Sequence, residues 1–190
     1  MQKLNMYCIT IHDRHLNLIK SLGYYPVGLG NTIKSKDFLR DNTKTNICEK
    51  NPFYGEYTFH YWLWKNGIEL PENTWIGFCQ YRKFWSITNE VKKIKNIQIL
   101  NDLVLKEIPK EYIGYDSILG ESLFINQFKF SKFVKQNLKT MLKKPVLFFD
   151  KNKRNLKFHF DMMHGSGNLT KAINLLDNSE KKDFSNFIEE

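Results

Sequence analysis

Residues Trp75–Trp85 read WIGFCQYRKFW, an apolar and aromatic run that empties into polar residues at Gln80-Tyr81-Arg82-Lys83. Such a run predicts a central strand whose far end emerges from a core. Working outward, Met6–His12 (YCITI between polar residues) predicts a second buried strand. Tyr24–Leu29 predicts a third, entered through Gly23 and left through the turn signal Gly28-Leu29-Gly30-Asn31. Tyr112–Leu119 (YIGYDSIL) predicts a fourth, closed by Gly120.

Helical signals fall between and after these runs. Asn51-Pro52 has the form of an N-cap followed by proline at the first helical position, so Phe53 to Asn66 predicts a helix. On its wheel Tyr54, Tyr57, Tyr61 and Trp64 form one stripe, Thr58 and Trp62 widen it, and Phe59 and Leu63 occupy the far side. A helix so apolar all round is expected to be buried, with Glu56 and His60 caught on it at i and i+4. Thr32 to Lys50 predicts a polar loop, and Ile87 to Lys110 a surface helix with a connection. Phe130–Lys143 has a helical period, with Lys132, Lys135, Lys139 and Lys143 on the arc away from its apolar side, and Pro145 stops it. Leu169, Ala172, Ile173 and Leu176 mark a further helix, and Ser179 is expected to cap a last one through Ile188. Strands alternating with helices give the fold class: α/β with a mainly parallel sheet flanked by helices.

The chain's 190 residues, 42% hydrophobic, support a sizeable core and are expected to form one domain over residues 1–190. An aromatic share of 15% argues against a disordered basic tail. With 29 Lys+Arg against 20 Asp+Glu the formal net charge is +9, which favours anionic partners. Nothing approaches the roughly 18 apolar residues of a membrane span. The start, MQKLNMYCITIHDRH, lacks the apolar h-region of a signal peptide. Cys8, Cys48 and Cys79 are odd in number and widely spaced, so reduced thiols and a cytoplasmic location are expected.

Several groups could carry chemistry. Arg82, where a strand leaves the sheet, offers a planar fork suited to a diphosphate or carboxylate; the plain alternative is an internal ion pair. Glu56 on an apolar helix needs a partner, Arg82 or Arg40, and could hold a substrate hydroxyl or act as a base. His159, Asp161 and His164 could contribute to a metal site, yet no zinc spacing is met. Neither GxxxxGK[ST], a full GxGxxG nor GxSxG occurs. The lysine face of Phe130–Lys143 suits anionic lipid headgroups; its aromatics lie on the other arc, so no nucleic-acid partner is expected.

The run Asp41-Asn42-Thr43-Lys44-Thr45-Asn46-Ile47-Cys48-Glu49-Lys50-Asn51-Pro52-Phe53-Tyr54-Gly55-Glu56-Tyr57-Thr58 resembles the "DxTxxNIxxKNxxYxExT" stretch of a bacterial family. The likeness continues through Tyr61-Trp62-Leu63-Trp64-Lys65-Asn66 ("YWxWKN") and Ile76–Phe84 ("xGLxHYRRxF"). Pro26–Gly30 is similar to its "IPVxxG", Tyr115-Asp116 to its "YD", and His164 with Asn168-Leu169 to its "HxxxDL". That family is DUF4422, found among capsular polysaccharide and lipopolysaccharide glycosyltransferases. Two residues depart from it: Gln80 stands where many members carry His, and Asn168 replaces an Asp. Members commonly continue beyond the equivalent of Ile188, so this chain is expected to be C-terminally truncated relative to the family.

The resemblance implies a GT-A-like (Rossmann-type) glycosyltransferase moving a hexose from a nucleotide-sugar donor, a UDP-sugar by preference, to a surface polysaccharide, oligosaccharide or lipid-linked acceptor. It implies peripheral contact with the inner membrane face. GT-A-like folds often hold Mn or Mg through a DxD pair, which is missing here. The implied catalytic residues are therefore Glu56, orienting the acceptor or serving as base, with Arg82 and His164 meeting the diphosphate. His12, Gln80, Tyr81, Lys83, Asn66 and Asp116 are implied to bind donor or substrate, with no metal ligand assigned. His15 is a weaker candidate for the same role as His12, and Tyr81, Trp62 and Trp64 are candidates to stack on rings. Two rival functions stay open: a non-catalytic glycan- or nucleic-acid-binding module, and an inactive subunit of a polysaccharide assembly complex.

Overall fold

A computed structural model describes residues 2–67, 71, 74–88, 94, 96–120, 142, 145–146 and 155–189. The chain divides into two compact units, Met1–Ile118 and Leu119–Glu190.

The first unit is built on β1 (Gln2–Thr10), β2 (Tyr25–Gly28), β3 (Leu39–Arg40), β4 (Thr74–Gln80) and β5 (Glu107–Ile108). The order is β3-β2-β1-β4, with all three of those pairings parallel; β5 pairs antiparallel with β1 at Gln2 and Lys3. The α/β class with a mainly parallel sheet is therefore as expected, and it is compatible with a Rossmann-like GT-A arrangement.

Strand β1 is buried on both faces, which explains its unbroken apolar run. Met6 and Cys8 join Ile19 of α1 (Leu16–Ser21) and Leu22 just after it, together with Tyr24, Ile33, Phe38, Cys79 and Val104. Leu100 of α4 (Ile97–Leu103) packs on the same side. Tyr7 and Ile9 face the other way, onto Val27, Leu29 and the Phe59, Trp62 and Leu63 of α3 (Tyr57–Asn66). Two glycines let these layers approach. A Cβ at Gly28 would stand 2.8 Å from Ile33 Cγ2 and 3.1 Å from Phe38 Cβ, and one at Gly77 2.7 Å from Met6 Cε.

Four local expectations are corrected. The helix expected over Phe53–Asn66 is two, α2 (Asn51–Tyr54) and α3, broken at Gly55, whose φ of 55° a residue with a Cβ adopts only under strain. Asn51 does not cap; its Nδ2 reaches forward to donate to the Gly55 carbonyl at 2.9 Å. Nor is α3 buried all round: Thr58, Phe59, Trp62 and Leu63 are inside, whereas Tyr57 and Trp64 are 65% and 71% exposed. The sheet offers α3 one face, which an i, i+3, i+4 set fills. Finally, Tyr112–Leu119 is not a strand. It follows a 3-10 turn at Lys110–Tyr112 and bends through Gly114 at a φ of 95°, and the strand of that region is β5.

The second unit contains α5 (Leu156–His164), α6 (Asn168–Ile173) and α7 (Asn178–Glu189), which meet through Leu169, Ile173 and Ile188 with Leu156 and Phe160. Ser179 is not the cap of α7. Asp177 is, its Oδ1 accepting from the backbone N–H of Ser179 and Glu180 at 3.0 and 2.9 Å. The expected helix at Phe130–Lys143, with its lysine face, lies outside the described residues. No helix among the described residues is long and apolar enough to cross a membrane.

Candidate functional site

Strands β2 and β3 lie on one side of β1 and β4 lies on the other, so the winding of the chain reverses between β1 and β4. At such a reversal the connections leaving the two carboxyl ends diverge, opening the crevice where α/β sheets take ligands. Ile9 pairs with Gln80 there, and Tyr81 continues the ladder by donating its N–H to the Ile9 carbonyl at 3.2 Å. The predicted groups Gln80, Tyr81, Arg82, Lys83, Glu56 and His12 surround this edge.

The β1 exit is tied down by local hydrogen bonds. Thr10 Oγ1 accepts from the His12 N–H at 3.1 Å and lies 2.7 Å from His15 Nδ1. Arg14 Nε donates to His15 Nε2 at 3.2 Å, which leaves Nδ1 as the protonated nitrogen and makes it the donor to Thr10. Burial first, then the nearby Arg14 and His12, hold the His15 imidazole below its ordinary pKa, consistent with this neutral tautomer. Asp13 accepts from the backbone N–H groups of Lys34 and Ser35, and those bonds hold its carboxyl below the usual range. Thr32 Oγ1 donates to the Ile11 carbonyl, so the loop after β2 is fastened to the same exit.

The β4 exit is a tight turn in which Lys83 N–H donates to the Gln80 carbonyl at 2.9 Å and Gln80 N–H returns to Lys83 at 3.2 Å. Tyr81 lies flat against His15, with ring centroids 3.9 Å apart and planes 11° from parallel. This stack bridges the two exits. Arg82 and Lys83 are exposed at the tip, the Arg82 guanidinium 6.0 Å from the Tyr81 ring.

Glu56 sits in the joint between α2 and α3, half-buried and not inside a helix. The joint is held because Asn51 Nδ2 and Thr58 Oγ1 both donate to the Gly55 carbonyl, at 2.9 and 3.0 Å. Gln80 Nε2 donates to Glu56 Oε2 at 2.6 Å. The expected partners are thereby corrected. Arg40 is committed to the carbonyls of Ile33 and Gly30 at 2.7 and 2.6 Å, and the turn carries Arg82 out to solvent. Gln80 is thus the residue that holds the carboxylate, a task its amide performs by donating to Oε2.

His60, one turn along α3, was legible only as the i+4 neighbour of Glu56. Its ring lies 4.4 Å from that of Phe78, and its Nε2 is buried with no hydrogen-bond partner among the described residues. Burial pushes its pKa down, with the charge of Glu56 pulling the other way. Asp41 is a second residue with no marked role in the sequence. It is fully buried just beyond β3, and neither carboxylate oxygen has a hydrogen-bond partner among the described residues.

Asn66 is spent on structure: its Nδ2 donates to the carbonyls of Thr45 and Trp62, and its Oδ1 accepts from Thr45 N–H. Trp62 is core and donates Nε1 to the Thr43 carbonyl at 2.9 Å, whereas Trp64 faces outward. Much of the motif from Asp41 to Asn66 thus fastens a loop onto α3. Asp116 is exposed in the irregular segment after β5. His164 ends α5 in the second unit, its ring 4.4 Å from that of Phe160. Asn168 Nδ2 donates to the His164 carbonyl at 2.8 Å, a bond an ionised Asp could not make. Asp161 is paired with Lys157 at 2.7 Å.

Among the described residues no three His, Cys, Asp or Glu side chains gather as a set that could hold a metal ion. The carboxylate at the sheet edge is held there by an amide donor. A cavity of about 370 Å³ lies at the other end of the sheet, lined by Leu4, Lys20, Tyr24, Asn101 and Lys106 among others.

Fold and site together define an α/β protein with a polar, aromatic-lined edge at a topological switch point. The chain belongs to the DUF4422 family, described as a domain of unknown function, whose model matches residues 6–189. No curated protein and no solved structure matches it.

Proposed function

We propose that this protein is a glycosyltransferase that moves a hexose from a nucleotide-sugar donor, of UDP type, to a surface polysaccharide or oligosaccharide acceptor. The observation that carries it is the carboxylate of Glu56, held through Oε2 by Gln80 at the switch-point edge, on the turn that also bears the exposed Arg82 and Lys83. The engaged oxygen fixes the carboxylate and leaves Oε1 to meet a hydroxyl. In the reaction the acceptor oxygen bonds to the anomeric carbon while its proton passes to Glu56. The bond from that carbon to the diphosphate breaks, and the nucleoside diphosphate leaves with both electrons. Arg82 and Lys83 meet that growing charge, the role in which fixed cations lower such barriers most. The flat His15–Tyr81 pair gives a nucleobase a surface to lie against, with His12 beside it.

The test is a panel of nucleotide sugars, nucleoside diphosphates and oligonucleotides followed by thermal shift and donor turnover. Stabilisation by a nucleoside diphosphate together with slow donor hydrolysis is expected. Replacing Arg82 by Ala should lower turnover by about 10²- to 10³-fold. Salt-sensitive oligonucleotide binding with no nucleotide effect would instead make the chain a binding module.

A further inference from the structure

We infer that Arg14 is a diphosphate-binding residue at the β1 exit, held in place by a relay from Thr10 through His15, and that it shares its anion with Arg82 on the β4 turn. The inference deepens the proposed glycosyltransferase reading and rests on it only in taking the diphosphate to be the donor's.

The relay starts in the core. Thr10, 2% exposed at the end of β1, has its Oγ1 2.7 Å from His15 Nδ1. With the proton on Nδ1, His15 Nε2 is an acceptor, and Arg14 Nε donates to it at 3.2 Å. Tyr81 lies flat on the same imidazole at 3.9 Å, so the ring cannot tilt without breaking the stack. An exposed arginine ordinarily samples many rotamers, and ordering it costs entropy at the moment of binding. Here the bond at Nε orders the side chain beforehand. Both terminal Nη groups of the planar fork are left with no partner among the described residues.

No counter-charge stands beside that fork. Asp13, its neighbour in the chain, turns both carboxylate oxygens to the backbone N–H groups of Lys34 and Ser35, at 3.0–3.2 Å. His15 is neutral in this tautomer. On the far side of the stack the Arg82 guanidinium lies 6.0 Å from the Tyr81 ring, with Lys83 next to it, both exposed. One ring of the pair thus carries Arg14 and the other has Arg82 beside it. The two exits are themselves tied, Tyr81 N–H donating to the Ile9 carbonyl at 3.2 Å.

This arrangement selects the ligand class. Cations without counter-charges at a strand exit draw an oxyanion. A guanidinium fork matches the paired oxygens of one carboxylate or one phosphate. Two forks on opposite sides of one stack suit an anion with two linked oxyanion groups, which is a diphosphate. Nucleotides and prenyl lipids both carry that group, and the clamp reads the chemistry they share.

The test is calorimetric titration of the full chain, at constant ionic strength, with inorganic pyrophosphate and inorganic phosphate, then with UDP and farnesyl diphosphate. Pyrophosphate should bind at least about tenfold more tightly than phosphate. Arg14→Ala should weaken pyrophosphate by about 10- to 100-fold. Arg14→Lys should recover little of this, because an ammonium lacks both the fork and the Nε that His15 holds. His15→Phe keeps a flat ring for Tyr81 and removes the acceptor. It should weaken pyrophosphate by about threefold to tenfold in the parent and have no further effect in Arg14→Ala, the coupling that distinguishes positioning from general structural support. The inference is overturned if pyrophosphate binds no better than phosphate, or if Arg14→Ala or Arg14→Lys binds as the parent does. It is overturned as well if the losses in Arg14→Ala and His15→Phe add. Arg14-dependent binding of farnesyl diphosphate but not UDP would leave the clamp standing and overturn the nucleotide-sugar donor. Arg14-dependent binding of UDP without donor turnover would sink the proposed enzyme and again leave the clamp standing.

Discussion

At the amino end of the sheet a cavity opens between Leu4, Tyr24 and Lys106, whereas at the carboxyl end the described side chains surround an open edge. The polar groups around that cavity are already paired. Lys20 is bound to Asp37 at 2.6 Å, Lys106 to Asn101 at 2.7 Å, and the Tyr24 hydroxyl donates to the Leu105 carbonyl at 2.6 Å. At the carboxyl end Glu56 has one oxygen engaged, His60 Nε2 has no hydrogen-bond partner among the described residues, and Arg82 and Lys83 stand in solvent. Pairing that closes on itself makes structure, and polar groups left over are what a ligand can use.

The comparison can be broken most directly by activity. Glu56→Gln should reduce sugar transfer by about 10²- to 10⁴-fold, the loss expected for an acid–base group, and leave the unfolding midpoint nearly unchanged. Lys106→Ala, at the amino end, should leave transfer within about twofold in the same assay, since it lies outside the proposed machinery. Equal losses in the two variants would erase the distinction between the ends.

Stability experiments sharpen it. Gly28→Ala should destabilise by about 1–3 kcal/mol in urea denaturation, because its new methyl meets the β-branched Ile33. Gly77→Ala should cost less, because the flexible end of Met6 can swing aside. Asp41→Asn should stabilise the fold by about 1–3 kcal/mol at neutral pH, since it removes a buried carboxylate that lacks hydrogen-bond partners among the described residues. An unchanged or lower midpoint would show that the carboxylate is compensated.

The smallest effect is in pH. His15 and His60 have folded-state pKa values below the ordinary 6.5, so the unfolded chain binds more protons as pH falls through that region. Their contribution is therefore intact above about pH 6.5 and is lost progressively below it. The midpoint should fall between about pH 7.5 and pH 5, and a His15→Gln, His60→Gln double variant should show a shallower fall.

How far these features could be read beforehand depended on the physics behind each. β1 announced itself because a strand buried on both faces needs an unbroken apolar run, and the partly buried β2 and β4 still carried short aromatic and β-branched runs. β3 and β5 are two residues each, too short to carry a period. The break at Gly55 was hidden because aromatic residues continue across it, and glycine alone does not reveal its φ. Tyr54, Tyr57, Tyr61 and Trp64 looked like a core stripe because hydrophobicity says which residues could be buried, not how much sheet is available. At the site, residue types and the strand exit were legible at Glu56, Gln80 and Arg82. The partnership was not: Arg82 seemed the stronger mate for Glu56, but a tight turn sends it outward, and side-chain direction after a strand is set by that turn.

The double anchoring of one carbonyl has a consequence of its own. Because Asn51 and Thr58 both hold Gly55, the reach of Glu56 over the edge is governed from behind, by residues that need not touch any ligand. Changes at Asn51 or Thr58 could advance or withdraw the carboxylate while the sheet stays as it is. The joint can therefore be retuned with the strands beneath it unaltered.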